Sequence, residues 1–248
     1  MAIKVEQVNP YHGDNRDKTE QVGEMFDSIA PAYDFMNHAM TMGIDKWWRR
    51  LAVKMVAATN PASVLDIAAG TGDLSIMLAH KITGAQVLGV DLSEGMIEKG
   101  RRRIESAGLS ERVRLSIADC MDMPFADDSF DCVTSAYGVR NFENLLQGYK
   151  EMHRVMRPGG MLCIIEMSTP TSKIALPFYN LYTRHIIPLA GKLVSKDVSA
   201  YSYLPESIAA VPQGAEMCGI IESAGFGQTA FRPLTFGTCT IYTAFKPQ

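Results

Sequence analysis

The sequence predicts an α/β fold: a doubly wound, mostly parallel sheet closed by an antiparallel hairpin, with a helical cap ahead of the first strand. Three observations carry this expectation. The apolar run Val64-Leu65-Asp66-Ile67 turns through Ala68-Ala69-Gly70-Thr71-Gly72 into Asp73-Leu74-Ser75, the pattern of a buried strand, a tight loop and a helix start. Between residues 63 and 166, short β-rich runs alternate with helical stripes, as parallel strands joined by crossover helices do. Finally, segments 227–234 and 238–246 are both β-rich and lie too close together for a crossover, so they pair antiparallel.

Residues 1–17 are polar and are expected to be loosely ordered. A helix is expected from Thr19, with Val22, Met25, Phe26 and Ile29 on one stripe, until Pro31 breaks it. Tyr33-Asp34-Phe35-Met36-Asn37 and the stretch Met40 to Gly43 form an aromatic, Met-rich segment. A second helix, about Asp45 to Ala58, sets Trp47, Leu51 and Met55 on one side. Residues 1–60 are read as an N-terminal helical cap over the carboxyl edge of the sheet. Residues 61–248 are the cofactor-binding body, and the two make one folding unit.

Strand 63–67 leads to a helix near 73–80. Strand 86–90 ends at Asp91, and Ser93 N-caps a helix from 94 to about 107. Strand 113–118 ends at Asp119, and strand 130–135 leads into Tyr137-Gly138-Val139-Arg140-Asn141. A helix at about 145–156 carries Leu145, Tyr149, Met152 and Met156 on its stripe. Arg157-Pro158-Gly159-Gly160 reads as a turn before strand 161–166, which ends at Glu166. Residues 170–212, rich in Pro, Tyr and Leu, read as a helical insertion at the mouth of the site, and a helix near 214–224 stops at Gly225.

The chain has 248 residues, 47% hydrophobic and 21% charged, which suits one globular α/β unit. A net charge of −3 offers no basic field to collect nucleic acid, so a nucleic-acid partner is not expected. The five cysteines, at 120, 132, 163, 218 and 239, contain no C-x-x-C pair; they read as reduced core thiols in a cytoplasmic protein. No run approaches the ~18 apolar residues of a spanning helix, and the N-terminus lacks the apolar core of a signal peptide. No metal-ligand cluster is evident.

The glycine loop narrows the cofactor. Gly70 and Gly72 remove the Cβ atoms that would keep a ligand off the backbone, and the helix start behind them presents free N–H groups. A dinucleotide fingerprint would place a third glycine three residues after Gly72, where Ser75 stands, and a glycine at position 68, which is Ala. Asp66 and Asp73 flank the loop instead. Two carboxylates suit a cofactor with an amine and a sulfonium and repel a pyrophosphate, which points to S-adenosyl-L-methionine. Asp91, about twenty residues beyond the loop, can accept from ribose hydroxyls, and Asp119, at the end of the third strand, from the amine of an adenine. A doubly wound, Rossmann-like sheet ending in a hairpin is the usual shape of class I methyltransferases.

Several segments resemble one family. They are Asp-Ile-Ala-Ala-Gly-Thr-Gly-Asp (66–73), Ala-Asp-Cys-Met-Asp-Met-Pro-Phe (118–125), Tyr-Gly-Val-Arg-Asn-Phe (137–142) and Arg-Pro-Gly-Gly (157–160). Tyr-Asp-x-Met-Asn (33–37) and Met-Gly-Ile-Asp-Lys-Trp-Trp-Arg (42–49) join them. Together, from about residue 22 to 246, they are similar to the ubiquinone/menaquinone biosynthesis C-methyltransferases. The glycine motif is shared by many methyltransferases; the Gly-Val-Arg-Asn and Tyr-Asp-x-Met-Asn segments are far more specific. The resemblance implies that Thr71, Asp91, Asp119 and Cys120 contact the cofactor, within a set that includes Asp66, Ala68, Gly70, Gly72, Leu92 and Ser135. Ala69 and Cys120 stand where many relatives carry Gly and Ala, and Ala136 where some carry Ser.

The reaction this implies is methyl transfer to a ring carbon of a prenylated quinol. Carbon attack needs an electron-rich ring, so a phenolic proton must leave or be shared as the C–S bond breaks. Arg140 is the candidate to stabilise the phenolate or position a proton-accepting water, with Asn141 and Tyr33 orienting the ring. His153 reads as structural and His185 as a surface residue. The segment Phe178 to Leu193, with Arg184 and Lys192 interleaved, suits an isoprenoid tail or peripheral membrane contact, and ordinary burial equally. A homodimer or a quinone-biosynthesis complex is compatible with this reading. Alternatives are a methyltransferase acting on another phenol or lipid, and a non-catalytic cofactor-binding subunit. The sequence does not separate naphthoquinol from benzoquinol.

Overall fold

The computed structural model describes residues 4–31, 33–173, 175–183 and 199–248 of the chain. Helices α1 (Lys18–Ile29), α2 (Tyr33–Met40) and α3 (Asp45–Ala57) precede the first strand. The alternation then runs β1 (Ser63–Ile67), α4 (Asp73–Lys81), β2 (Gln86–Asp91), α5 (Glu94–Ser106), β3 (Val113–Ile117), β4 (Phe130–Ala136), α6 (Leu145–Val155) and β5 (Met156–Met167). After it come α7 (Ala175–Leu181), α8 (Ser199–Ala210), α9 (Ala215–Ser223), β6 (Gly227–Leu234) and β7 (Cys239–Phe245).

The strands form one sheet in the order β3-β2-β1-β4-β5-β7-β6. Strands β1 to β5 are mutually parallel, with Leu65 beside Leu88 on one side and Val133 on the other. β7 runs antiparallel to both β5 and β6, so the expected hairpin is present. Chain order reverses between β1 and β4. The loops after those two strands therefore open a crevice at the carboxyl edge of the sheet, where ligands of such folds bind.

The interior strands are buried on both faces, and alternate residues feed two apolar layers. Leu65, Ile67, Val133 and Leu162 pack with Tyr149 and Met152 of α6 and Ile221 of α9. Val64, Cys132, Cys163 and Ile165 face the other way, towards Trp48 and Val53 of α3 and Leu74 and Leu78 of α4. A smaller cluster joins Val22, Met25 and Ile29 of α1 to Met96 of α5 and to Ala200 and Tyr203 of α8. Apolar packing thus ties α1 to α5 and α8, and α3 to the sheet.

Four local expectations are corrected. The segment before α1 is packed: Val5 and Val8 are buried, and the buried Lys18 donates to Val5 O at 2.5 Å and Arg140 O at 3.2 Å. Burial pulls the Lys18 ammonium down to about 8. Tyr33–Met40 is a helix, where the sequence showed only an aromatic segment. In α3 the buried face is Trp48, Arg49, Ala52, Val53 and Val56, while Trp47 is 47% exposed. The helix is rotated from the expected stripe because the Asp45–Arg49 ion pair turns inward. Arg157-Pro158-Gly159-Gly160 belongs to a bulged start of β5: Met156 already pairs with Phe130, Gly159 N donates to Lys246 O at 2.8 Å, and Lys246 N to Gly160 O at 3.0 Å. His153 stacks edge-on against Phe226 at 5.1 Å, a packing role. His185 and most of the Phe178 to Leu193 segment lie outside the described residues.

Candidate active site

The crevice holds two adjoining cavities, which share lining residues from the segment after β4. After β1 the chain leaves ordinary backbone space: Ala68 (φ +53°) and Gly70 (φ +55°) are both left-handed. For Ala68 that conformation is strained, a cost typical of loops shaped for a ligand. Open space surrounds the Gly70 Cα where a Cβ would project. The Asp91 carboxylate holds this loop, Oδ2 accepting from Gly70 N at 2.7 Å and Oδ1 from Ser93 N at 3.0 Å. Burial pushes the Asp91 carboxyl up, against those backbone hydrogen bonds.

The narrower cavity, about 60 Å³, is walled by Ala68, Gly70, Asp91, Leu92, Asp119 and Cys120. Val22, Gly23 and Phe26 of α1 close it from above. Asp119 is pinned by Met121 N, which donates to Oδ1 at 2.8 Å. Burial pushes the Cys120 thiol well up, so it stands as a small neutral wall residue.

Asp66, Thr71, Gly72 and Ser135 are not on that wall. Asp66 is buried beneath the loop, accepting from Ser75 Oγ at 2.6 Å and Thr134 Oγ1 at 3.0 Å. It braces the loop from the core. Asp73, the other flanking acid, is ion-paired with Arg103 and lies 3.8 Å from Arg49. Against the expectation from the sequence, neither flanking carboxylate lines the narrower cavity, whose acidic lining residues are Asp91, Asp119 and Glu143. Thr71 is buried, its Oγ1 donating to Asp34 Oδ1 at 2.6 Å and accepting from Arg103 Nη1 at 2.8 Å. Gly72 (φ +80°) begins α4. Ser135 is buried, and its Oγ finds no partner among the described residues. A Cβ on Gly138 would stand 2.8 Å from that oxygen and 2.4 Å from Ala68 Cβ, so β1 and β4 loops meet only because this residue is glycine.

The second cavity is a chamber of about 760 Å³. Its wall is aromatic and aliphatic, with Met25, Ile29, Met40, Trp48, Tyr179 and Tyr203 prominent. Phe26, Tyr33, Tyr137 and Asn141 border both cavities, so this quartet is the junction between them. Arg140 lines the chamber and is buried; its Nη1 donates to Glu166 Oε1 at 2.7 Å and to Tyr137 O. Its backbone N–H donates to Glu166 Oε2 at 3.2 Å, and its Nε has no partner among the described residues. Burial would lower the Arg140 pKa, but the Glu166 carboxylate outweighs that and holds it above its ordinary value. Asn141 Oδ1 accepts from Tyr203 OH at 3.1 Å, and burial raises the Tyr33 phenol.

The structure thus brings together Tyr33, Arg140 and Asn141 at the chamber. It adds residues that sequence reasoning left without a role. Tyr137, at φ +61°, has Arg49 over its ring at 4.9 Å and Trp48 edge-on at 6.4 Å. A bulky side chain in left-handed backbone beside a Gly was not readable from residue types. Glu166 is the last residue but one of β5, and the strand-end acid pattern that singled out Asp91 and Asp119 could have found it. Asp34 lay inside a quoted segment, but its partners are far apart in sequence.

The charge of the narrower cavity's lining suits an adenosyl sulfonium. Three carboxylates line it, Asp91, Asp119 and Glu143, no Lys or Arg appears among its described lining residues, and the space beside the Gly70 Cα is open. A pyrophosphate would meet only negative charge. The fold and this site define an S-adenosylmethionine-dependent methyltransferase of the class I architecture. The model of the ubiE/COQ5 methyltransferase family matches residues 14–246, and the chain belongs to that family. It is 47% identical over 246 residues to a demethylmenaquinone methyltransferase of Bacteroides fragilis, covering 99% of this chain and 100% of that one. It is 40% identical to the ubiquinone/menaquinone biosynthesis C-methyltransferase UbiE of Geotalea daltonii, covering 93% and 98%. Among solved structures, the [4+2]-cyclase SpnF superposes with a TM-score of 0.69 at 16% identity, over 92% of this chain and 97% of that one, a likeness of fold.

Proposed function

We propose that the chain methylates a ring carbon of a prenylated quinol, with demethylmenaquinol as the substrate. The carrying observation is the junction: a large apolar chamber meets the adenosyl cavity at Tyr33, Tyr137 and Asn141, with a charged arginine in the chamber wall. An apolar chamber of about 760 Å³ suits a fused ring and the start of an isoprenoid tail. Full-length relatives named for demethylmenaquinone methylation support the naphthoquinol over the benzoquinol.

Bound S-adenosylmethionine supplies an electrophilic methyl group and leaves as S-adenosylhomocysteine. Ala68, Gly70, Asp91, Leu92, Asp119 and Cys120 would hold it: Asp91 at the ribose hydroxyls, Asp119 at the adenine amine. The quinol ring forms a C–C bond, shares or loses a hydroxyl proton as negative charge builds on its oxygen, and then loses the proton of the attacked carbon. Arg140 stays protonated beside Glu166, so it cannot take a proton; it stabilises the oxyanion. Tyr33 and Asn141 hold the ring against the junction, Asn141 steadied by Tyr203. The oxygen regains a proton as the ring becomes aromatic again, so one proton in all is released, to water.

Met42, Leu181 and Phe236 line the chamber and are 76%, 57% and 81% exposed. Large apolar side chains exposed together around such a mouth support peripheral contact with a lipid surface, from which the prenyl tail is drawn. No helix among the described residues is long and apolar enough to cross a membrane. The test is methyl transfer from labelled S-adenosylmethionine to reduced demethylmenaquinone and, in parallel, to a demethylated benzoquinol. Label on the naphthoquinol is expected. Label on the benzoquinol alone would reverse the substrate, and label on neither would reject the reading.

A further inference from the structure

We infer that Asp34 is a positioning residue of the methyl transfer, tying the glycine loop of the cofactor side to Tyr33 at the junction. The inference rests on the quinol reading above. Asp34 Oδ1 accepts from Thr71 Oγ1 at 2.6 Å, inside the glycine loop. Asp34 Oδ2 pairs with Lys99 Nζ of α5 at 2.9 Å, and Arg103 Nη1 stands 3.6 Å from Oδ1. These cations are themselves engaged with the same neighbourhood. Arg103 donates to Thr71 O at 3.2 Å and to Thr71 Oγ1 at 2.8 Å, and pairs with Asp73. Lys99 donates to Ala30 O at 3.0 Å and Pro31 O at 3.2 Å, at the turn just ahead of α2.

All of these partners lie on the cofactor side, whereas the adjacent residue, Tyr33, borders both cavities. Helix α2 has only eight residues, too few to hold a helix without tertiary support. Its register against the junction therefore depends on such ties, and among the described residues of α2 Asp34 is the one that bonds the loop. An aromatic that orients a reacting ring must be placed closely, since a displacement of about 1 Å can cost on the order of a hundredfold in rate. Asp34 would thus set Tyr33 in register with a glycine loop that Asp91 and Asp66 brace independently.

The test uses the full chain and four variants: Asp34→Asn, Thr71→Val, Tyr33→Phe and the double variant of Asp34→Asn with Tyr33→Phe. Kinetics with reduced demethylmenaquinone are read beside the Kd for S-adenosylhomocysteine. Asp34→Asn keeps the side chain's size at a position 21% exposed, and Thr71→Val removes the same tie from its other end. Each is expected to lower kcat/KM for the quinol about tenfold or more while the cofactor-product Kd moves less than about threefold. The double variant is expected to be no worse than Tyr33→Phe by more than about twofold, because Asp34 acts through that residue. Wild-type kinetics in Asp34→Asn would overturn the inference. So would a Kd loss as large as the kinetic loss, which would confine the tie to the cofactor site, and so would fully additive losses. A wild-type chain that methylates no quinol would overturn the functional reading itself, and this inference with it.

Discussion

At the scale of single residues, the site divides into groups that touch ligand space and groups that brace it. Asp91 does both, holding Gly70 and Ser93 while facing the narrower cavity. Removing its charge-assisted contacts costs roughly 1.5–3 kcal/mol, so Asp91→Ala is expected to weaken cofactor binding by about tenfold to a hundredfold in calorimetry. Arg140→Lys keeps a charge for Glu166 and loses the planar fork, so kcat should fall by about tenfold or more with cofactor affinity retained. Unchanged turnover would return Arg140 to a purely structural role. Asp66 is the bracing case. Burial raises its carboxyl to about 6, against hydrogen bonds from Ser75 and Thr134. The folded state then binds this proton more tightly than the unfolded chain. The group's contribution to stability is complete below about pH 4 and is lost as pH rises through about 6. Relative to Asp66→Asn, the wild type should lose roughly 2–3 kcal/mol between about pH 4 and about pH 7, measured by denaturant unfolding. A pH-independent difference would contradict the buried, raised carboxyl.

At the scale of elements, periodicity located β1 to β4, α4 to α6 and the closing hairpin within a residue or two, because strands buried on both faces are unbroken apolar runs. It failed where tertiary contacts decide. The Asp45–Arg49 pair draws one face of α3 inward and leaves Trp47 outside. Trp48 packs in the core and donates from Nε1 to Thr235 Oγ1 at 2.8 Å. Trp48→Ala is therefore expected to cost about 3–5 kcal/mol and Trp47→Ala under about 1 kcal/mol in thermal or denaturant unfolding. Equal costs would mean that the helix face is misassigned. Helix α2 escaped sequence reasoning for a related reason: a short aromatic segment becomes a helix only when Asp34 and its neighbours anchor it. The Arg157–Gly160 stretch carries turn residues, yet backbone bonds to Lys246 draw it into the sheet.

At the scale of the whole molecule, the sheet reversal between β1 and β4, the cap and the helices after β5 combine to set two cavities side by side. The negative narrow cavity was legible in part, since Asp91 and Asp119 end successive strands. Asp66 and Thr71 looked equivalent in the sequence and lie behind the wall, because residue type at a loop does not reveal which way a side chain turns. The apolar chamber was legible only in fragments, at Tyr33, Arg140, Asn141 and the segment from Phe178, since its lining comes from at least six separate segments. The central claim is that the two cavities meet where a methyl group passes to carbon. The most direct measurement is to give the enzyme S-adenosylmethionine labelled in its methyl group with reduced demethylmenaquinone, then locate the label in the product by nuclear magnetic resonance. The account predicts an aryl C-methyl, formed in equal amount with S-adenosylhomocysteine. Label on a ring oxygen, or cofactor binding with no labelled quinol, would contradict it.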